Sequence, residues 1–262
     1  MRGHDDDATR PPNDTACRTA MRGIGQTLIT LGVVVLLFIV YQAFITDIFT
    51  ARTQDQLSQQ LHDRWSSQDP TVGTPTQDTT YSDVPIGDAL AVLRIPAFGP
   101  DYAQVVVQGT TASALEKGPG HYVDTAGPGE VGNFAVAGHR VGKGSPFLNV
   151  DKLVPGDAIV VETQTSWYVY RVIGDKASGD FRDPAYGAIT GRTVTTPSDY
   201  QAIAPVPGDS AAAPVLRLLT LTTCHPKFSA AQRMIIHAHL DGEPLTKAQY
   251  PSAADVPALK EG

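Results

Sequence analysis

The feature that most constrains this chain is an uncharged apolar run near its N-terminus. Residues 23–45 contain no Asp, Glu, Lys or Arg. A helix of that length spans about 34 Å, which is enough to cross the hydrocarbon core of a bilayer. A cleaved signal peptide has a shorter apolar run and a small-residue cleavage site after it, whereas bulky Ile48 and Phe49 follow here. The run therefore predicts an uncleaved transmembrane anchor, which we place at residues 23–46.

The charges that flank this run predict its orientation. Arg10, Arg18 and Arg22 precede it, and Asp47 follows it. Because Lys and Arg favour the cytoplasmic side of a membrane helix, residues 1–22 are predicted to be a cytoplasmic tail. The rest of the chain would then lie outside the membrane, as the extracytoplasmic part of a single-pass membrane protein.

The overall charge and composition limit the fold classes and the kinds of partner that remain possible. The 262 residues leave room for one sizeable domain beyond the anchor. The 20 Lys and Arg stand against 27 Asp and Glu, for a net charge of -7. This sign disfavours nucleic acid as a partner, because phosphates are neutralised by basic surfaces. The 24 Gly and 20 Pro residues argue against a helical bundle.

The segment after the anchor is predicted to be an extracytoplasmic stalk or linker, residues 47–85. Leu57, Leu61 and Trp65 recur at every fourth position, which predicts a short amphipathic helix leaving the bilayer. Residues 66–85 are polar and rich in Ser, Thr, Asp and Pro, a composition typical of a flexible connection.

The folded domain is predicted at residues 86–242, and a polar tail that is ordered only in part follows at residues 243–262. Short apolar runs separated by turn residues predict a mainly β domain with a few short helices, built as a closed barrel or a sandwich. The candidate strands are residues 91–95, 103–107, 133–137, 158–163, 168–173, 215–221 and 234–240. Residues 176–214 are too long for an ordinary connection and form a candidate functional loop.

The cysteines point to chemistry in this domain. Cys17 lies in the predicted cytoplasmic tail, so Cys224 would be the lone thiol on the other side of the membrane and could not pair with it. An exported cysteine without a partner calls for a chemical reason, although a buried structural cysteine is the alternative. Cys224 ends an apolar strand, and Pro226 turns the chain away after it, as expected for an accessible nucleophile.

Two further residues have the right chemistry to assist a thiol. His139 ends an apolar strand in which Phe134 and Val136 are predicted to face the core, so the histidine shares the other face with small residues that leave room for a ligand. Arg233 opens the strand that returns after Cys224, where it could supply a fixed cation for a developing oxyanion. A solvated side chain is the alternative for Arg233.

Five separated elements together resemble the sortase family of membrane-anchored cysteine transpeptidases. They are LRIPAFG, GPGHY, AGHR, TLTTC and the arginine that opens the next strand, and they extend over about residues 86–240. The TLTTCHP form and the single N-terminal anchor are most similar to class E sortases of high-GC Gram-positive bacteria. The resemblance implies an eight-stranded sortase-type β-barrel in which Cys224 is the nucleophile, His139 the acid/base and Arg233 the oxyanion or substrate clamp.

The resemblance also implies a reaction and its partners. The partners would be secreted proteins with a C-terminal sorting signal of the LPXTG type, with LAXTG as the class E preference. Cleavage of the Thr-Gly bond would give a thioacyl enzyme, and an amine of a peptidoglycan precursor would resolve it. No cofactor or metal is implied.

Two other functions compete with this interpretation. An exported cysteine hydrolase would share the nucleophile and differ only in using water to resolve the intermediate. A metal-binding wall or adhesion protein would instead use soft ligands, namely Cys224, His225, His237 and His239.

Overall fold

A computed structural model describes residues 14–41, 46–67 and 81–261 of the chain. The chain divides into two compact units, residues 1–45 and 46–262. The first unit contains helix α1, Asp14–Val40. Its stretch Arg18–Phe38 is long and apolar enough to cross a membrane, and none of it is buried in the structure. The predicted anchor thus continues as helix to Val40, and residues 42–45 lie outside the described residues.

The second unit is mainly β. It contains helix α2 (Thr46–Ser67) and the one-turn helix α3 (Ala112–Leu115). Its strands are β1 (Ala89–Arg94), β2 (Ala103–Gln108), β3 (Gly120–His121), β4 (Gly132–Ala137), β5 (Ala158–Glu162), β6 (Ser166–Val172), β7 (Arg192–Thr195), β8 (Arg217–His225), β9 (Gln232–Leu240) and β10 (Leu245–Thr246). Short 3-10 helices occupy Tyr81–Asp83, Pro96–Phe98, Val150–Lys152, Pro184–Tyr186, Tyr200–Ile203, Ala253–Asp255 and Pro257–Lys260.

Eight of these strands close into a barrel. The order is β6, β5, β1, β2, β3, β4, β8 and β9, and β9 pairs again with β6. β2 with β3 and β4 with β8 are parallel pairs, while the other neighbours in the ring are antiparallel. β7 adds to β9 and β10 adds to β6, outside the ring. The eight-stranded β-barrel implied by the resemblance is confirmed.

Alternation along the strands fills the barrel. Successive side chains in a strand point to opposite faces, so every second residue enters the interior. Phe134 and Val136 of β4 belong to the main buried cluster, as predicted. Leu219 and Leu221 of β8 join the same cluster, as do three alternate residues of β9, Met234, Ile236 and Ala238. The residues that alternate with these inward-facing positions, including Thr222 and Cys224 on β8, therefore face outward.

Helix α2 packs on the outside of the barrel. Leu57 and Leu61 are 7% and 1% exposed and share a buried cluster with Val92, Val105 and Val107. The predicted amphipathic helix therefore exists, but it begins at Thr46 and covers β1 and β2. This differs from the stalk predicted at residues 47–85, because the outer faces of β1 and β2 are themselves apolar and need a cover. Residues 68–80 lie outside the described residues.

A single glutamine locks α2 in register with the sheet. The side-chain Oε1 of Gln54 accepts a 2.6 Å hydrogen bond from the Val105 amide. Its Nε2 donates to the carbonyls of Val105 at 3.1 Å and Lys117 at 2.7 Å. One amide group thus satisfies backbone groups of β2 and of the segment that leads to β3.

The C-terminal segment is packed as well, although its composition predicts a polar tail at residues 243–262. Val256 and Ala258 are buried in a cluster with Val160 and Trp167 on the outer face of β5 and β6. Glu261 forms an ion pair with Arg171 of β6. A few apolar residues among polar ones are enough to cover this part of the barrel, which composition alone does not reveal.

The long connection predicted at residues 176–214 is folded onto β9. It contains β7 and two short 3-10 helices, Pro184–Tyr186 and Tyr200–Ile203. His237 of β9 is buried beneath it, with Nδ1 at 2.8 Å from the Thr190 carbonyl and Nε2 at 3.1 Å from that of Ala202. His237 therefore contacts the backbone of the connection on both sides of β7.

Candidate active site

Cys224 and Arg233 are directly opposite each other in the antiparallel ladder of β8 and β9. Residues paired in this way point to the same face, with Cβ atoms about 5 Å apart. This face is the outside of the barrel, because Leu221 and Met234 alternate into the interior. Both side chains are half-buried, and the thiol is free. The strand pairing thus places a cation next to an accessible thiol.

His139 arrives at the same level from the neighbouring strand. β4 runs parallel to β8, and its last pair is Ala137 with Thr222. The contact continues beyond the ladder, because the Gly138 amide donates to the Thr222 carbonyl at 3.0 Å and the Thr223 hydroxyl donates to the Gly138 carbonyl at 2.7 Å. One further step in this register would place His139 level with Cys224. The structure thus pairs Cys224 with Arg233 and puts His139 one residue beyond the last contact between these two segments.

A glycine next to His139 is required by close packing. A Cβ on Gly138 would lie 2.5 Å from the ring of Phe147, which is fully buried. The Phe147 amide in turn donates to the His139 carbonyl at 3.1 Å. The segment that begins at Phe147 therefore supports the backbone of the histidine from below.

The loop between His139 and Phe147 is tightly coiled and touches α2. Lys143 and Ser145 have φ values of 54° and 44°, in the left-handed region that L-residues seldom adopt. A Cβ on Gly144, where φ is 75°, would lie 2.7 Å from the Thr50 side chain of α2. Packing against α2 thus helps to define the path of this loop.

The surroundings of His139 favour a neutral imidazole. Burial is the main cause that lowers its pKa, and the charge of Lys143 lowers the pKa further, while Glu116 acts in the opposite direction. Lys143 and Glu116 form an ion pair with an N–O distance of 2.7 Å. The net effect is a lower pKa than usual, which favours the neutral form of the ring. A neutral imidazole can accept a proton at one nitrogen while it donates at the other.

Arg233 is held by the turn that joins β8 to β9. Its Nη1 donates to the carbonyls of Ala230 at 3.1 Å and Gln232 at 3.0 Å. Among the described residues, Nε and Nη2 have no hydrogen-bond partner. The guanidinium is therefore held through one nitrogen and keeps further N–H donors for a ligand.

Two hydroxyls that sequence reasoning did not single out lie on the same face as the thiol. Thr222 is two residues before Cys224, so its side chain points the same way, and its Oγ1 lies 3.0 Å from the hydroxyl of Tyr122. Tyr122 follows β3 and ends the GPGHY element. The spacing of two from Cys224 along a strand is the signal that could have identified Thr222.

The alternative metal site is not assembled. Among the described residues, no group of three or more His, Cys, Asp or Glu side chains could hold a metal ion. His237 is buried under residues 190–202, and His239 stacks on Tyr186 at a ring distance of 4.8 Å. His225 alternates with Cys224 along β8 and therefore points to the other face.

Known proteins share this arrangement of strands. The sequence profile of the Sortase domain matches residues 93–241, which include His139, Cys224 and Arg233. The chain belongs to the sortase family. The resemblance seen in the motifs is therefore confirmed. The homologues of this chain in the sortase family are cysteine transpeptidases.

Individual relatives agree with class E. Sortase SrtE1 of Streptomyces coelicolor is 34% identical over 228 residues, which is 84% of this chain, and the chain spans 57% of that protein. SrtF sortase from Corynebacterium diphtheriae is 42% identical, and its structure matches with a TM-score of 0.62. The matched region covers 72% of this chain and 99% of the SrtF chain. The crystal structure of sortase E1 from Streptomyces coelicolor with a tripeptide in the active site is 32% identical, with a TM-score of 0.52, over 65% and 98% of the two chains.

Proposed function

We propose that this sortase is a membrane-anchored transpeptidase in which Cys224 is the nucleophile, His139 the acid/base and Arg233 the oxyanion or substrate clamp. One observation supports this above all others. Cys224 and Arg233 are paired across two strands on the outer face of the barrel, and His139, far earlier in the sequence, follows the strand that pairs with β8 on its other side. A thiol, an imidazole and a guanidinium supply the three kinds of group that cysteine acyl transfer needs.

The first half-reaction is acylation of the thiol. The sulfur of Cys224 attacks the threonine carbonyl carbon of the sorting signal, so that a C–S bond forms and the carbonyl oxygen becomes an oxyanion. N–H groups of Arg233 donate to this oxyanion. As the tetrahedral intermediate collapses, the C–N bond to glycine breaks. His139 transfers the proton that came from the thiol to the leaving amine.

The second half-reaction is attack by an amine on the thioester. His139 accepts a proton from the incoming amine as its C–N bond forms, and the C–S bond breaks to return the cysteine sulfur, which regains that proton. The threonine carbonyl ends in a new amide with the acceptor. The acceptor we propose is an amine of a peptidoglycan precursor, and water in its place would give the hydrolase alternative.

The substrate we propose is a secreted protein with an LPXTG-like signal, of the LAXTG form. The LAXTG form rests on the resemblance of the motifs to class E sortases, and in the related sortase E1 a tripeptide occupies the active site. In the cell, α1 would hold the enzyme in the membrane with the N-terminus in the cytoplasm and the barrel outside. The apolar helix is compatible with such an anchor.

A product analysis tests this function. The enzyme is incubated with a peptide that carries an LAXTG signal, with and without a short peptide that has a free N-terminal amine. We expect cleavage between Thr and Gly and, when the amine is present, a ligated product. Cys224→Ala should abolish both reactions while its unfolding midpoint stays near that of the wild type, because a half-buried thiol contributes little packing. Activity that persists in Cys224→Ala would overturn the proposal, and release of the free acid alone at high amine concentration would favour the hydrolase.

A further inference from the structure

A buried arginine lies directly after His139. Arg140 is only 3% exposed, and its Nη1 lies 3.5 Å from the sulfur of Met234, the residue after Arg233. Its Nε donates to the Leu148 carbonyl at 3.3 Å. A guanidinium keeps its charge in a protein, and a buried charge without a partner is strongly unfavourable. The position of Arg140 is therefore tied to whatever neutralises it.

The partner is Asp151, in the short helix Val150–Lys152. The Oδ1 of Asp151 lies 3.0 Å from Nη2 of Arg140. Its Oδ2 faces Nζ of Lys227, in the turn between β8 and β9, at 3.7 Å. Its backbone carbonyl accepts a 2.8 Å hydrogen bond from Nη1 of Arg192 on β7. One residue thus contacts three separate elements of the chain.

The carboxylate of Asp151 is kept ionised by these contacts. Partial burial raises its pKa, but its own backbone amide and the charges of Arg140 and Lys227 outweigh burial, and the pKa lies below its usual range. The charge that neutralises Arg140 is therefore present throughout the neutral pH range.

Two of the residues that contact Asp151 are close in sequence to residues of the candidate active site. Arg140 comes directly after His139, and Lys227 is in the turn that joins Cys224 to Arg233. Asp151 itself is anchored from below, because Phe147, Val150 and Leu153 on either side of it are fully buried in the main cluster. Asp151 therefore connects the segment after His139, the turn between Cys224 and Arg233, and the barrel core.

We propose that Asp151 is a positioning residue that fixes His139 relative to Cys224 and Arg233. The proposal rests on the function proposed above, since it assigns the distance between His139 and the thiol its importance. Asp151 acts through Arg140 and Lys227 and needs no contact with substrate. Proton transfer depends on distances that must hold to a fraction of an ångström, and a displacement of about 1 Å can reduce a rate about 100-fold.

The test is Asp151→Asn, compared with Asp241→Asn as a matched control. Asp241 also pairs with an arginine at 3.0 Å, Nε of Arg171, but lies just beyond β9 and far along the strand from Arg233. In Asp151→Asn we expect kcat to fall about 10- to 100-fold with KM within about twofold of the wild-type value. In Asp241→Asn both constants should stay within about twofold, because exposed ion pairs contribute little.

The split between kcat and KM separates positioning from stability alone. Each variant is assayed well below its own unfolding midpoint. A folded Asp151→Asn enzyme with wild-type kcat, or with a loss confined to KM, would overturn the inference. If Asp151→Asn does not fold, the double variant Arg140→Met with Asp151→Leu replaces both charges, so that the buried charge of Arg140 is not left without a partner. The double variant should again lose kcat, and wild-type kcat there would overturn the inference.

The same assay distinguishes failure of this inference from failure of the proposed function. Every measurement includes Cys224→Ala. Wild-type activity that survives in Cys224→Ala would remove the proposed function itself. Activity that requires Cys224 but is indifferent to Asp151 would remove only the positioning role.

Discussion

The hydroxyl of Thr223 donates a 2.7 Å hydrogen bond to the carbonyl of Gly138. The residue before the candidate nucleophile thus holds the residue before the candidate acid/base. Thr223 is 2% exposed, so this bond is made away from water. It is a direct link between β8 and the extension of β4 at the level of the site.

Replacement of Thr223 by Val should therefore cost both stability and activity. The shape is kept, but the buried Gly138 carbonyl loses its donor, which should lower the free energy of unfolding by about 1–3 kcal/mol. Denaturant titration measures this change. Thr223→Ser is the matched control, because it keeps the hydroxyl and loses only a methyl group. Equal effects of the two substitutions would show that packing, and not the hydrogen bond, is important at this position.

The pKa of His139 should respond in opposite directions to changes in the ion pair beside it. Lys143 lowers this pKa and Glu116 raises it. Lys143→Met should therefore raise the pKa, and Glu116→Gln should lower it further. NMR titration of the His139 ring at low salt measures both, since screening weakens exposed charges. Shifts of the same sign in the two variants would contradict this electrostatic account.

Loss of the imidazole itself should be more severe than a shift of its pKa. His139→Ala should slow acylation and amine transfer by about 10²- to 10⁴-fold, because both steps need a proton transfer. Single-turnover and steady-state assays separate the two steps. His62→Ala, on α2, is the control and should remain active. Retention of normal rates by His139→Ala would assign proton transfer to another group.

Arg233 is predicted to act without moving a proton. Arg233→Lys keeps the positive charge but loses the planar set of donors, so the rate should fall about 100-fold or more if this residue stabilises the oxyanion. The pH optimum should stay in place. Arg217→Lys, at the other end of β8, serves as the control and should remain near wild type. A full-unit change in the pH profile of Arg233→Lys would show that the role of this arginine is misassigned.

The docking of α2 predicts a large loss of stability from one buried residue. Leu61→Ala should lower the free energy of unfolding by about 2–5 kcal/mol, because it leaves a cavity between the helix and β1. The adjacent, exposed Gln60 gives the control, since Gln60→Ala should change stability by less than about 0.5 kcal/mol. Chemical denaturation of both variants measures the difference. A small effect at Leu61 would mean that α2 contributes little to the fold.

Much of the barrel could be predicted from local pattern. Phe134 and Val136 alternate with small residues, and this period of two indicates both the strand and its inward face. The docking of α2 could not be predicted in the same way. Leu57 and Leu61 show that a helix has an apolar face, but no local rule says which surface covers it. The consecutive apolar residues 105–107 of β2 were the available sign that this strand is buried on both faces.

The candidate site, too, has a part that local sequence pattern can predict and a part that it cannot. The pairing of Cys224 with Arg233 follows from a short turn between two strands and could be anticipated from spacing. The position of His139 beside β8 depends on the parallel pairing of β4 with β8, and therefore on the whole topology of the barrel. The joint role of His139 and Cys224 came from the resemblance to sortases, and it stays a prediction. The role proposed for Asp151 could not be predicted from the sequence, because it depends on contacts with three separate elements.

The closure of the ring between β6 and β9 leaves the described part of the sheet with only two free edges. They belong to β7, of four residues, and β10, of two. An extended peptide can join an exposed edge as an extra strand, and this is also how sheets aggregate. The substrate proposed here is itself an extended peptide. Edges this short offer it few backbone partners, so capture of the peptide by strand addition would compete little with its binding beside Cys224.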